Sequence, residues 1–512
     1  MPALHNPQQA AQWLRQLGCA QLHSDSRQVR AGDGFLAWPG IRSDGRSHVP
    51  EVMARGARAC LVERDGGSWD GMASADPVNA VALTDEGVGT YAGLRRDSGA
   101  IAAAYHGHPS KALDVLAITG TNGKTSTAWW LAHALQAMGR GCAVVGTLGM
   151  GDVAQAAQWS HGAGLTTPDA VVLQAGLRQF VDQGLAACAI EASSIGLREH
   201  RLDGTALRLA VFTNFSQDHL DYHASMDDYW QAKAALFDWP GLPAAVVNLD
   251  DAQGRSLAQT LLDRKRPAEV WTFSCQGPAR LQARHIRWHA SSQAGAGLAF
   301  EVCEGEQALP LQTRMVGTFN VSNLLAVIAA LRALGHPLAD AVQACAHLPS
   351  VPGRMNSLGG INQPLVVVDY AHTPDALEKA LQALHDVAQQ RQGKLWCLVG
   401  CGGERDVGKR PLMARVAEMQ AQCVVLTSDN PRSEDPLAIL AQMRSGLHQP
   451  DSVQVQADRR QAITDTLAQA GVRDVVLIAG KGHETSQEIH GQRLPFSDAL
   501  LAQACLDAGV WA

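Results

Sequence analysis

The sequence predicts an α/β protein of about three domains, with at least two parallel sheets covered by helices on both faces. Three observations predict it. The chain has 512 residues, and domains of about 150 residues give roughly three. From Asp114 onward, short apolar runs ending in small or polar residues alternate with helical stretches, which is how buried parallel strands read. The alternation breaks at Leu348-Pro349-Ser350-Val351-Pro352-Gly353, where two prolines and a glycine stop any helix, and then it restarts.

In chain order, residues 1–112 form a mixed, Gly- and Arg-rich zone with short apolar stretches such as 59–62. The first alternating unit follows, with strand-like runs at 115–118, 143–145, 186–190, 209–212 and 244–247. Between the first two runs, Ala128, Leu131, Ala132, Leu135 and Met138 recur at helical spacing, and Gly139 supplies a stop. The second unit carries runs at 365–368, 395–399, 424–426 and 475–478. No internal repeat or low-complexity tract interrupts them.

Composition narrows the function classes. Hydrophobic residues are 46% and charged residues 18%, enough apolar material for several cores, so a disordered or collagen-like chain is excluded. The longest clean apolar runs, such as 324–331, fall far short of the roughly 20 residues a spanning helix needs. No basic stretch followed by an apolar core opens the chain, so no secretory signal is expected. The net charge is −7, which argues against a nucleic-acid partner held by phosphate neutralisation. The nearest basic group, Arg284, His285, Arg287 and His289, alternates with Ile286 and Trp288 and reads as the solvent side of a strand. Eleven cysteines without a Cys-x-x-Cys pair read as reduced thiols of a cytosolic protein, not as disulfides or a zinc site.

The strongest local signal is Ile118-Thr119-Gly120-Thr121-Asn122-Gly123-Lys124-Thr125-Ser126, between a strand-like run and a helix. That context is the one a phosphate-binding P-loop requires. Glycines let backbone N–H groups approach phosphate oxygens, the helix N-terminus favours anions, Lys124 balances charge and Thr125 can ligate magnesium. The usual pattern has glycine where Ile118 stands. Glu191 and His219 follow two further strand-like runs. Ligands collect at the carboxyl ends of strands in such sheets, and these residue types suit magnesium directly or through water.

Five motifs, in their order and spacing, resemble the Mur ligases over nearly the whole chain. They are the stretch 119–126, Glu191-Ala192-Ser193-Ser194, Asp218-His219-Leu220-Asp221-Tyr222-His223, Asp369-Tyr370-Ala371-His372-Thr373-Pro374 and Gly480-Lys481-Gly482-His483-Glu484. Mur ligases are ATP-dependent amide-bond formers of peptidoglycan synthesis. Gly400-Cys401-Gly402-Gly403-Glu404-Arg405-Asp406 and Asp429-Asn430-Pro431-Arg432 are similar to those of the members that add diaminopimelate.

The resemblance implies an N-terminal α/β domain (1–112) holding the uridine diphosphate end, a central P-loop ATPase domain (113–348) and a C-terminal Rossmann-like domain (349–512). The signature Asp25-Ser26-Arg27 with Val29, Gly32, Phe35, Ala37, Gly40 and Asp44-Gly45 marks the first. By resemblance Ser26, Ile41, Arg42 and Ser43 contact the nucleotide sugar, and Thr166, Thr167, Ser193, Glu199 and Arg201 the muramoyl peptide. ATP falls to Gly120, Thr121, Asn122, Gly123, Lys124, Thr125, Ser126, Asn323 and His372, with Asn320 nearby. Thr125, Glu191, His219 and Lys233, the last as a CO₂-derived carbamate, hold two magnesium ions. Taken alone, Lys233 reads as a helix-surface lysine. Arg405, Asp429, Asn430, Pro431, Arg432, Gly480 and Glu484 receive meso-diaminopimelate.

The implied reaction has the D-glutamyl carboxylate of UDP-N-acetylmuramoyl-L-alanyl-D-glutamate attack the γ-phosphate of ATP, giving an acyl phosphate that the amine of diaminopimelate opens. Lys124, Glu191, His219 and Lys233 form its catalytic set, in a cytoplasmic monomer without nucleic-acid or membrane partners. Arg405 and Arg432 would meet the carboxylate that distinguishes diaminopimelate from lysine, and Glu484 its far ammonium. A buried Arg432 left unpaired would reject lysine by several kcal/mol. Leu165, Ile195 and Glu199 depart from the Asn, His and Gln common in diaminopimelate-adding members. Glu199 would repel an anionic peptide unless Arg201 or another cation offsets it. A lysine-adding ligase or a folylpolyglutamate synthetase of the same superfamily is one alternative, and a nucleotide-binding scaffold that makes no amide is another.

Overall fold

The computed structural model describes residues 1–40, 43–64, 87–159, 165–220, 222–264, 268–291, 295–359 and 362–512. They divide into two compact units, one of residues 1–273 with 329–336, the other of 274–328 with 337–512.

The first unit contains a five-stranded sheet in the order Ala3–Leu4, Val88–Tyr91, Ala59–Glu63, Gly34–Ala37, Leu22–His23, with every pairing parallel. Leu36 and Leu61 meet Leu14, Leu94 and Ile101 on one face, and Phe35, Cys60 and Val62 meet Val49 and Val52 on the other. Successive residues of these strands are therefore all buried, on alternate sides.

A second sheet in this unit runs in the order Glu269–Ser274, Ala244–Asn248, Leu209–Phe212, Asp114–Thr119, Ala187–Glu191, Cys142–Gly146, Gly149–Asp152. It is parallel except for the last hairpin. The five predicted runs are five of its strands. Ile118 stands opposite both Glu191 and Val211, fully buried. A strand residue with both neighbours paired needs no glycine, which accounts for the departure from the usual P-loop pattern. The register brings Thr119, Glu191 and Phe212 to one end of the sheet, where the phosphate loop begins.

The spacing of Ala128, Leu131, Ala132, Leu135 and Met138 predicts one apolar face on the helix Lys124–Ala137. Instead Thr125–Leu135 is buried except at His133. One side packs on the sheet, and the turn Val153–Gln158 covers another, with Trp159 edge-on to Trp129 at 5.5 Å.

The second unit contains an antiparallel meander, Leu281–Ser291, Gly295–Glu304 and Gln307–Gln312. The 284–289 stretch lies on a strand as predicted, without strict alternation. A bulge between Arg284 and Arg287 puts His285 at φ 54° and leaves Arg284 and His285 both exposed, because the extra residue breaks the two-residue period.

A six-stranded sheet follows in the order Asn356–Leu358, Leu365–Asp369, Val475–Ala479, Leu395–Val399, Cys423–Thr427, Gln454–Gln456, parallel except for its first pairing. Val367, Cys397 and Leu477 pack under the helices Pro374–Arg391 and Lys409–Gln420, while Val366, Leu398 and Ile478 pack against Arg459–Gln469 and Asp498–Asp507. Both faces are covered, which is why the strands read as unbroken apolar runs.

Candidate active site

The phosphate loop is held from its neighbouring strand. Thr121 N donates to Asn214 O at 2.8 Å, Asn122 N donates to Asn214 Oδ1 at 2.9 Å, and Thr213 Oγ1 donates to Asn122 O at 2.6 Å. Gly120 sits at φ +145°, and a Cβ there would stand 1.9 Å from Thr213 Oγ1, so no side chain fits. Gly123 takes a left-handed turn at φ 83° just before the helix. Lys124 Nζ donates to Gly120 O and Thr121 O, each at 2.9 Å. Thr121 and Ser126 are buried beside it.

Glu191 ends its strand at 1% exposure. One carboxylate oxygen accepts Thr125 Oγ1 at 2.9 Å and Thr147 Oγ1 at 3.2 Å, and the other accepts Thr147 N at 2.7 Å. A Cβ on Gly146 would lie 2.1 Å from Glu191 Oε1, so the absent side chain makes the room for this carboxylate. All three donors are neutral. A buried carboxylate with no paired cation among the described residues is costly by itself, and a hard divalent cation beside Thr125 Oγ1 and Glu191 would relieve it. Among the described residues no three His, Cys, Asp or Glu side chains are placed to hold a metal ion by themselves. A cation here would therefore take ligands from the hydroxyl and from a phosphate as well.

The surface position expected for Lys233 is wrong. On the helix Met226–Ala234 it is 1% exposed, its Nζ donates to Gly120 O at 2.8 Å and stands 4.5 Å from the Tyr229 ring centre. Tertiary packing on the phosphate loop covers the face that local sequence assigned to solvent. Burial, and then the Lys124 charge, hold its amine well below the usual lysine range. His219, at φ 53°, lies edge-on to the same tyrosine at 5.9 Å.

The peptide candidates adjoin this group. Thr166 Oγ1 is 3.3 Å from Thr147 Oγ1. Thr167 is fully buried, with its hydroxyl on Glu191 O at 2.8 Å and 2.9 Å from Ser193 Oγ. Ser193 also caps the short helix Ser194–Arg198 through Gly196 N. Arg201 Nη1 donates to Thr167 O at 2.9 Å, and its Nε donates to Glu199 Oε2 at 3.0 Å. Arg201 thus supplies the expected offset to Glu199, and Arg95, which sequence reasoning missed, adds a second cation 3.7 Å from Glu199 Oε1. Ser26 is half-buried and accepts Arg55 Nη2 on its carbonyl at 2.6 Å, while Ser43 is exposed. Ile41 and Arg42 lie outside the described residues.

In the second unit, Asp429, Asn430, Gly480 and Glu484 come together at the ends of the strands Cys423–Thr427 and Val475–Ala479. Their centre is Lys481, also missed. It is fully buried, with Nζ on Asn430 Oδ1 at 2.9 Å and on Glu484 Oε2 at 2.7 Å. Burial raises the Glu484 carboxyl, but Lys481 and the Asn430 amide outweigh it and the net shift is downward. Glu484 is therefore already paired. Asp429 Oδ1 is buried without a hydrogen bond, with Lys481 Nζ 3.8 Å away, and burial pushes its carboxyl up. That oxygen has capacity to accept from an ammonium.

Arg432 follows Pro431 at φ 53°, with Nη1 on Gly403 O and Nε 3.5 Å from Glu488 Oε2. Arg405 is exposed. A Cβ on Gly402 would lie 3.2 Å from Arg432 Nη1 and 3.6 Å from Arg405 Cγ, so both arginines flank that glycine. Fully buried Arg459 braces the site from beneath, bonding both oxygens of buried Asp498 at 2.8 and 2.7 Å, Ser428 O at 3.1 Å and Ala479 O at 2.9 Å. Those carbonyls immediately precede Asp429 and Gly480. His372 Nδ1 is 2.8 Å from Tyr370 O, and buried Asn323 donates to Asn320 Oδ1 at 3.0 Å.

Comparison with known proteins shows the family. The model of the Mur ligase middle domain matches residues 118–331, and that of the Mur ligase glutamate ligase domain matches 353–482. The UDP-N-acetylmuramoyl-L-alanyl-D-glutamate--2,6-diaminopimelate ligase of Acidovorax sp. (strain JS42) is 55% identical over 516 residues, covering 99% of each chain. Its counterpart in Pseudomonas aeruginosa is 46% identical over 495 residues, covering 96% of each. A solved structure of a ligase with that name shares 34% identity at a TM-score of 0.65, covering 96% of this chain and 95% of the other. The fold also matches UDP-N-acetylmuramoylalanyl-D-glutamyl-2,6-diaminopimelate--D-alanyl-D-alanyl ligase from Acinetobacter baumannii, at 17% identity, a TM-score of 0.63 and 98% and 97% coverage.

Proposed function

The chain belongs to the Mur ligase family, and on that premise we infer that it joins meso-2,6-diaminopimelate to UDP-N-acetylmuramoyl-L-alanyl-D-glutamate at the expense of ATP. The observation that carries the reading is the continuous path from the phosphate loop through Thr125 and Glu191 to Thr167, Ser193 and Arg201. The path supports the reading because the reaction needs a phosphate site beside a site for an anionic peptide.

In the proposed reaction a D-glutamyl carboxylate oxygen attacks the γ-phosphorus. The bond to the β-phosphate oxygen breaks and ADP leaves. The amine nitrogen of diaminopimelate then attacks the acyl carbon, phosphate departs, and the ammonium proton passes to solvent. No covalent enzyme nucleophile is needed. The chain's work is to align two anions that repel one another and to neutralise them. Lys124 and the N–H groups of the loop take the phosphate charge, Arg201 braces Thr167 beside the peptide, and Asp429 Oδ1 orients the incoming amine. Thr125, Glu191, His219 and carbamylated Lys233 are the residues that would hold magnesium, which when bound supplies further neutralisation of phosphate oxygens.

The low affinity of Lys233 for a proton supports the carbamate. Only a neutral amine adds to CO₂, and the product replaces a cation repelled by Lys124 with an anion attracted to it. The reading assigns the UDP end to residues 1–112, ATP to 113–348 and the amino acid to 349–512, in a cytoplasmic monomer. No described helix is long and apolar enough to cross a membrane.

Phosphate release with ATP, magnesium, the UDP-linked dipeptide and either meso-diaminopimelate or L-lysine tests the reading. Turnover with diaminopimelate and a tripeptide product by mass is expected. Absence of turnover with both amines overturns it.

A further inference from the structure

Glu199 sets a problem that the surrounding side chains answer. Arg201 directs both Nε and Nη2 at the same Glu199 oxygen, and Nη1 at Thr167 O. The two side chains are only 14% and 15% exposed, so the carboxylate cancels most of the guanidinium charge in place. A pair of this kind offers little to an incoming carboxylate. Activation of one D-glutamyl carboxylate leaves the substrate's other carboxylate ionised beside it, and that group needs a cation of its own.

The neighbouring arginines are mostly committed. Arg96 pairs with Asp97 at 2.8 Å and Arg198 with Asp228 at 3.3 Å. Arg95 differs. Its backbone is fixed near the start of the helix Leu94–Tyr105, its N donating to Glu63 Oε2 at 3.4 Å. Its side chain is 42% exposed and leans on Glu199 Oε1 at 3.7 Å, a separation at which the pair attracts without a hydrogen bond. Tyr222 donates its hydroxyl to that same oxygen at 3.3 Å. Glu199 therefore uses one oxygen on Arg201 and the other on Tyr222 and Arg95. The three charges sum to one positive, and Arg95 carries the share open to solvent.

We propose that Arg95 is the substrate-reading cation of this site, aimed by Glu199, and that it binds the non-reacting carboxylate of the D-glutamyl residue. The inference rests on the ligase reading above and deepens it. A guanidinium suits the task because it meets a carboxylate with two parallel N–H bonds. The glutamate at 199 then serves recognition by neutralising Arg201 while recruiting a cation from a different helix.

Steady-state kinetics on the full chain test this. Arg95→Ala is expected to raise the KM for the UDP-linked dipeptide by about 10-fold or more, with kcat and the KM values for ATP and diaminopimelate within about twofold of the unsubstituted enzyme. Arg95→Lys, which keeps the charge but not the fork, should fall between them. Glu199→Gln releases Arg201 to take the carboxylate, so adding Arg95→Ala to that variant should move the same KM by about twofold at most. A dipeptide KM unmoved by Arg95→Ala, or an equal effect of Arg95→Ala in both backgrounds, overturns the proposal. Thermal midpoints of each variant separate binding from folding, and Arg95→Lys carries the test if the alanine variant unfolds. No turnover by the unsubstituted enzyme would instead remove the ligase reading itself.

Discussion

Exchanging meso-diaminopimelate for L-lysine deletes one carboxylate at the far end of the amine and leaves the rest of the molecule alone. In the reading above Arg432 meets that carboxylate. A guanidinium deprived of every partner inside a protein costs about 3–5 kcal/mol, the basis for expecting strong rejection of lysine. The surroundings of Arg432 lower that figure. Its side chain is 21% exposed, Glu488 Oε2 lies 3.5 Å away, and Gly403 O accepts from Nη1. Lysine therefore forfeits one charge-assisted contact, worth about 1.5–3 kcal/mol, without orphaning the cation. At about 1.4 kcal/mol per tenfold, the kcat/KM ratio of diaminopimelate to lysine should be about 10 to 100. Phosphate release with each amine at subsaturating concentration reads it directly. Arg432→Met should lower diaminopimelate to near the lysine value, while Glu488→Gln should widen the gap by leaving Arg432 more dependent on the substrate. Selectivity retained by Arg432→Met would refute the assignment and shift it to Arg405, which borders the same glycine.

Three further outcomes follow from the geometry. Lys233→Ala should lose activity and regain part of it with added short carboxylic acids; in the unsubstituted enzyme activity should fall as pH drops through the lowered lysine pKa, because the protonated amine cannot add CO₂. Glu191→Gln should raise the magnesium needed for half-maximal phosphate release by at least about 10-fold, and an unchanged magnesium titration would exclude it as a ligand. Arg459→Met strands the fully buried Asp498 and should destabilise the chain by about 3–5 kcal/mol in urea unfolding; Asp498→Leu added to it should recover part of the loss.

The sequence by itself determined the parallel sheets, the phosphate loop and the order of the motifs. Each of these is written in consecutive residues: a strand buried on both faces is an unbroken apolar run, and 114–137 carries strand, loop and helix start without interruption. Ile118 departs from the usual loop pattern, and its register opposite Glu191 and Val211 supplies the reason. The tertiary structure decided what surrounds each charge. Lys233 lies on a helix whose local pattern fits solvent, and it is buried because the phosphate loop packs over it. Lys481 closes onto Asn430 and Glu484, Arg459 onto Asp498, and Arg95 onto Glu199. In each case an ionisable group acquires its environment from a residue distant in the chain or from the chain folded above it. Periodicity reports which side of an element faces apolar surroundings. The partner of a charge, and with it the charge's proton affinity and its use, depends on contacts that only the folded chain brings within a few ångströms.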